Sequence, residues 1–158
     1  MKLKSLAIIT FLTVLLTSCP YQSNFVLGEK TELNSDLVGT YVLDSSKFIV
    51  EKLVFHIDSN SQFKLLTLSE ENGEQIYTGN LVTSTIGKTK VLNIKYDLTS
   101  QYYYFKYDNK LKSLNLQFLS QNKFEIREPQ SKTVLDSVYI ANSKKKIWTF
   151  NVKLKKEN

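Results

Sequence analysis

LVFHIDSNSQFKLLTLSEENG, residues 53–73, is the stretch on which the fold turns. Leu53, Phe55 and Ile57 alternate with Val54, His56 and Asp58. A repeat of two is the side-chain period of a β-strand, whose successive residues face opposite sides. Phe63, Leu65 and Thr67 repeat the pattern, and Glu70-Glu71-Asn72-Gly73 supplies turn chemistry where the run stops. Asn-Gly between two such runs reads as a hairpin connection.

The same period extends in both directions. Upstream, Leu37, Gly39, Tyr41 and Leu43 alternate with Val38, Thr40 and Val42, and Phe48-Ile49-Val50 leads into the opening stretch. Downstream come Ile76 to Thr85, interrupted by Gly79, then Val91 to Tyr96, Tyr102 to Tyr107, Leu114 to Leu119 and Phe124 to Arg127. β-branched and aromatic residues in short runs between turn residues argue for strands. The spacing predicts an all-β fold, a single antiparallel up-and-down barrel of about eight or nine strands. Pro129 ends the run. Ser131 then stands where a helix N-cap would, ahead of Val134, Leu135, Val138 and Ala141, which share one helical face. A helix over 132–143 is expected, with Lys144, Lys145 and Lys146 near the negative end of its dipole. Trp148, Phe150, Val152 and Leu154 alternate with Thr149, Asn151, Lys153 and Lys155 as a closing strand. There is no internal repeat, and residues 36–158 read as one domain.

Gly39-Thr40-Tyr41 on the first strand resembles the Gly-x-Trp that opens the lipocalins, with tyrosine where that family has tryptophan. The resemblance implies a barrel with a helix before its last strand. It also implies a binding role for a small apolar or amphipathic ligand.

The first residues follow different rules. Lys2 and Lys4 precede an uncharged apolar run from Leu6 to Leu16, broken only by Thr10 and Thr13. A helix of that length reaches about 16 Å, too short for a hydrocarbon core of about 30 Å. A basic start, a short apolar middle and small residues at the end describe a secretory signal. Leu16-Thr17-Ser18-Cys19 resembles the lipobox of bacterial lipoproteins, and Cys19-Pro20-Tyr21 is similar to the opening of small bacterial lipoproteins with lipocalin-like domains. The resemblance implies cleavage after residue 18 and lipid attachment at Cys19. It places the chain in the bacterial cell envelope, anchored to a membrane and facing the periplasm or the exterior. Several acyl chains on one residue anchor firmly where a single chain does not. Residues 1–18 are thus expected to be a signal peptide and 19–35, which show no sustained period, a flexible tether. Fully extended, that tether would span about 55 Å. The chain has one cysteine, so no intramolecular disulfide supports the domain.

Charge is uneven. Residues 19–105 carry 7 basic and 10 acidic side chains, and residues 106–158 carry 12 basic and 5 acidic. The basic half reads as a solvated face, or as a surface drawn to anionic lipid headgroups. An extracytoplasmic location speaks against nucleic acid as a partner.

The residues offer little catalytic chemistry. His56 is the single histidine and shares its strand face with Asp58. No Gly-x-Ser-x-Gly elbow accompanies it, so a triad has no nucleophile in place. Zinc needs three or four nitrogen or sulfur ligands, and calcium six to eight oxygens at a spacing that Glu70 to Glu74 does not follow. No glycine-rich phosphate loop occurs. The expectation is a protein without catalytic residues, metal or cofactor.

Tyr102-Tyr103-Tyr104-Phe105-Lys106-Tyr107 is the strongest remaining feature. Tyr103, Phe105 and Tyr107 face one side, Tyr102 and Tyr104 the other, so both faces need a covering. The barrel interior and the 132–143 helix can supply the two coverings. Tyr41, Phe55, Tyr103, Phe105 and Tyr107 are the candidate ligand-binding side chains. A hollow barrel lined by them would take a ligand inside. A filled one would act through its surface as a protein-interaction module, such as an inhibitor or an envelope assembly factor.

Overall fold

The computed structural model describes residues 22–44, 52–70, 72–116, 129–143 and 153–157. Residues 1–18, expected as a signal peptide, with Cys19, Phe48 to Val50, Gln117 to Leu119, Phe124 to Arg127 and Trp148 to Val152 lie outside the described residues. None of the described helices is long and apolar enough to cross a membrane.

Ten strands are described: β1 Gln22–Ser23, β2 Glu29–Lys30, β3 Gly39–Leu43, β4 Lys52–Ile57, β5 Gln62–Ser69, β6 Gly73–Ile86, β7 Thr89–Tyr96, β8 Tyr102–Asp108, β9 Ser113–Leu116 and β10 Lys153–Lys156. One helix, α1, spans Lys132–Ser143. Strands β3 to β10 pair antiparallel in chain order, and β10 pairs back onto β3 through Leu154 and Leu43. The result is a closed eight-stranded antiparallel barrel with one helix before its last strand. Closure pairs each of the eight strands on both sides, except where β6 runs past the end of β7 as Gly73 to Thr78.

Register decides which side chains point inward. Tyr41 pairs with Phe55, Phe55 with Leu65, Leu92 with Phe105, and Tyr107 with Leu114. All but Leu65, which is partly buried and packs against it, belong to one cluster that fills the barrel with Ile57, Phe63, Leu81, Ile94 and Leu154. Phe55 stacks on Phe63 and Phe105, with ring centroids 5.2 and 5.7 Å apart. At the lower end Tyr41 donates its hydroxyl proton to Leu37 O at 2.9 Å, beside the 3-10 turn Ser35–Leu37. The Tyr107 and Ser113 hydroxyls are buried here with no hydrogen-bond partner among the described residues.

Gly79 does not break β6; the strand runs on through it. It is where pairing passes from β5 to β7: Gly79 faces Phe63 on one side and Tyr96 on the other. A Cβ there would collide with the Lys95 carbonyl oxygen and lie 2.9 Å from the Phe63 ring. Only glycine lets the two neighbours close in at this bend.

Of the segment read as a tether, Gln22 to Thr31 is docked. β1 pairs with the upper end of β8, and β2 pairs with the lower half of β6. Between them the chain crosses the outer face of β8 and β7, burying Val26 and Leu27. α1 lies over the same face, and Leu27, Ile86, Val91, Tyr104, Leu135 and Tyr139 form a second core. Period-two reasoning missed this strap because two-residue strands hold no period and the side chains that fasten Leu27 are polar. Asn93 and Ser84 are buried on the outer face. Asn93 Oδ1 accepts from Leu27 N at 2.8 Å, its Nδ2 donates to Ser84 Oγ at 2.7 Å, and Ser84 Oγ donates to Leu27 O at 2.5 Å. Ser23 Oγ lies 2.6 Å from the Tyr104 hydroxyl, which donates to Phe25 O at 2.8 Å. Gly28, at φ 78°, donates its N–H to Asp136 Oδ1 at 2.8 Å, and Lys132 bridges Asp136 and Glu29 at 2.7 Å each. These carboxylates, Asp136 first, hold the Lys132 ammonium above its usual range.

α1 begins after Ser131, whose Oγ accepts from Val134 N at 3.3 Å. Its buried face differs from the one expected. Leu135, Val138 and Tyr139 pack down, while Val134 and Ala141 are exposed. Tyr104 and Tyr102 on β8 are covered by this helix and the strap, and Tyr103, Phe105 and Tyr107 enter the barrel.

Candidate functional site

Four of the five proposed ligand-binding side chains belong to the packed interior. Tyr41 and Phe55 have no exposed surface, and Phe105 and Tyr107 are buried. A hollow interior lined by them is therefore absent at this level of the barrel. Tyr103 differs, because it sits at the upper rim.

There the interior opens into a cleft of about 410 Å³ lined by Leu65, Tyr77, Tyr96, Tyr103 and the turn residues Asp97 and Leu98. Each wall has a local cause. β5 and β6 extend past the barrel as a hairpin, with Ser69 paired to Gly73 across a tight turn. This carries Tyr77 beyond the packed core, with Leu65, its partner across the hairpin, at the core's edge. Tyr96 ends β7 and Tyr103 is the second residue of β8, so the β7–β8 turn closes the opposite side. Gly79 opposite Tyr96 leaves room for the Tyr96 ring, which lies edge-on to Phe63 at 5.3 Å.

The rings form a chain. Tyr96 meets Tyr103 at 5.3 Å and Tyr77 at 5.9 Å, both edge to face. Such contacts align the positive edge of one ring with the negative face of the next and fix their orientation. Burial, and then the neighbouring Tyr103 and Tyr77, push the Tyr96 phenol up to about 12. It stays protonated at any ordinary pH and can donate a hydrogen bond. Tyr77 donates to Gln75 Oε1 at 2.5 Å, and Thr78 donates to Asp97 Oδ2 at 2.5 Å. The cleft thus has apolar walls, phenol hydroxyls and one carboxylate at the rim. That is the composition of a site for an amphipathic molecule.

A second hollow of about 370 Å³ lies on the outer face of β4 to β6, bordered by His56, Asp58, Lys64, Asn80 and Asp97. Two of its polar side chains, Asp58 and His56, are engaged by the local fold. Asp58 Oδ1 accepts from Asn60 N and Gln62 N, which builds the β4–β5 turn. His56 is exposed, with Nδ1 3.1 Å from Thr40 Oγ1. Among the described residues no group of three His, Cys, Asp or Glu is arranged to hold a metal ion.

Tyr77, Tyr96, Leu65, Ile76 and Leu98 were not foreseen as site residues. One signal was available: Leu98 is a bare apolar residue in the turn Asp97-Leu98-Thr99-Ser100, where polar residues are the rule. Comparison with protein-family models, with curated proteins and with solved structures finds no match to this chain.

Proposed function

We propose that this chain is a lipoprotein of the bacterial cell envelope, anchored through Cys19, whose barrel binds a small apolar or amphipathic molecule without transforming it. The observation that carries the binding role is the tyrosine-lined cleft at the barrel mouth. Its volume of about 410 Å³ falls in the range of small-molecule sites. The closed barrel supports the role as a rigid frame for that cleft. The anchor reading rests on the basic, apolar, Leu-Thr-Ser-Cys order of residues 2–19. The filled interior argues for a ligand at the rim and not within the barrel.

Binding is tested by titrating the protein with dodecanoate and with a lysophospholipid and measuring heat. Tyr103→Ser removes one aromatic wall at a partly exposed position and should weaken binding about tenfold, the equivalent of about 1.4 kcal/mol. Leu111→Ser, in the β8–β9 turn at the far end, should bind as the parent does. Absence of binding to either amphiphile, or equal binding by the Tyr103 variant, would reject the cleft as the site.

A protein-docking role is the second reading, favoured by the same filled interior and by the exposed rim. It predicts a contact that covers the hairpin and turn and is indifferent to free amphiphiles.

A further inference from the structure

Leu98 is 96 % exposed, Ile76 50 % and Tyr77 40 %. These are three of the six large hydrophobic side chains exposed among the described residues, and all three border one cleft. Exposed apolar residues scattered singly are ordinary, but a cluster on one rim marks a contact surface.

The position of the anchor cysteine in the chain bears on what that surface meets. β1 starts at Gln22, whose backbone is in register with Tyr103, and Tyr103 lines the same cleft. Only Pro20 and Tyr21 separate Cys19 from Gln22. Three residue steps span at most about 11 Å. The strap beyond Gln22 has no slack to release, because Ser23 and Leu27 are fastened to Tyr104, Asn93 and Ser84. β1 runs toward the rim, so the chain enters Gln22 from the barrel-wall side, and a lipid on Cys19 keeps the bilayer within about 11 Å of Gln22, one residue below the rim-side end of β1, not tens of ångströms away.

On this ground, which rests on the lipoprotein reading, we infer that the barrel sits mouth-down on its own membrane, with Leu98, Ile76 and Tyr77 set into the lipid interface. Apolar and aromatic side chains settle at the boundary between headgroups and acyl chains, and tyrosine suits that layer by having one apolar and one wet end. The cleft then opens onto the bilayer. Leu111, 55 % exposed in the β8–β9 turn, lies at the opposite end and points to water.

The test uses the full chain carrying Leu98→Cys or Leu111→Cys, produced in a bacterial host and purified from its membranes. Lipid occupies the thiol of the one native cysteine, so the introduced cysteine alone takes an environment-sensitive thiol dye. Both positions are exposed, so neither change disturbs the fold. The proteins are reconstituted into phosphatidylcholine–phosphatidylglycerol vesicles whose acyl chains are brominated. The dye at position 98 should shift to the blue and lose most of its emission to bromine quenching, while the dye at 111 keeps its emission. Equal, water-like emission at both positions on vesicle-bound protein would overturn the orientation and leave the anchor standing. An intact mass without acyl chains on Cys19, with protein free in solution, would overturn the anchor and the orientation with it.

Discussion

Phe55→Ala is expected to cost about 4 kcal/mol of folding stability and to lower the thermal midpoint by about 15 °C. The side chain has no exposed surface and is clamped between Phe63 and Phe105, with Tyr41 beside it across β3. Truncation removes the ring's burial and leaves a void that a closed barrel cannot collapse around, because its strands are fixed by hydrogen bonds on both sides. Urea unfolding of the parent and the variant measures it. A loss below about 1 kcal/mol would mean that the interior is loosely filled at this level and has room for a guest.

Asn93→Leu is the second large effect, expected at about 3 kcal/mol. Leucine matches asparagine in shape but makes none of its hydrogen bonds. Leu27 N would be left buried with no acceptor, and Val82 O and Ser84 Oγ would each lose a donor. An orphaned buried donor costs about 1–3 kcal/mol, and the acceptors add to it. The damage should be local first: amide exchange at Leu27 should speed up well before exchange in β7. A variant as stable as the parent, with Leu27 exchange unchanged, would mean that the strap is held by its apolar contacts alone.

These two residues also show what the sequence disclosed. Phe55 sits in a clean period-two run, and the barrel and its interior face followed from that run and its neighbours. Tyr102 to Tyr107 were assigned to their faces correctly, since alternation is a geometric property of any strand. The bounds of α1 followed from Pro129, Ser131 and the apolar spacing. Its buried face did not, because Tyr139 continues the stripe that Leu135 and Val138 begin, while Val134 and Ala141 are exposed. Asn93 marks the limit. A buried polar residue on the outer face of a strand looks in sequence like any solvated position. The strap that covers it carries its binding groups on the backbone, where sequence is silent. Apart from Tyr103, the residues of the candidate site were missed for a related reason. Aromatic content alone does not separate Tyr41, which fills the core, from Tyr96 and Tyr103, which line an opening. Strand ends and hairpin overhang make that distinction, and both depend on register.

The central claim is that the working surface of this barrel is its tyrosine-lined mouth. Side-chain NMR of the protein titrated with dodecanoate tests it most directly. The claim predicts shifts concentrated on Leu65, Ile76, Tyr77, Tyr96, Leu98 and Tyr103, with Tyr41 and Leu154 at the other end unmoved. Shifts confined to the hollow beside His56 and Lys64, or no shifts at all, would contradict it.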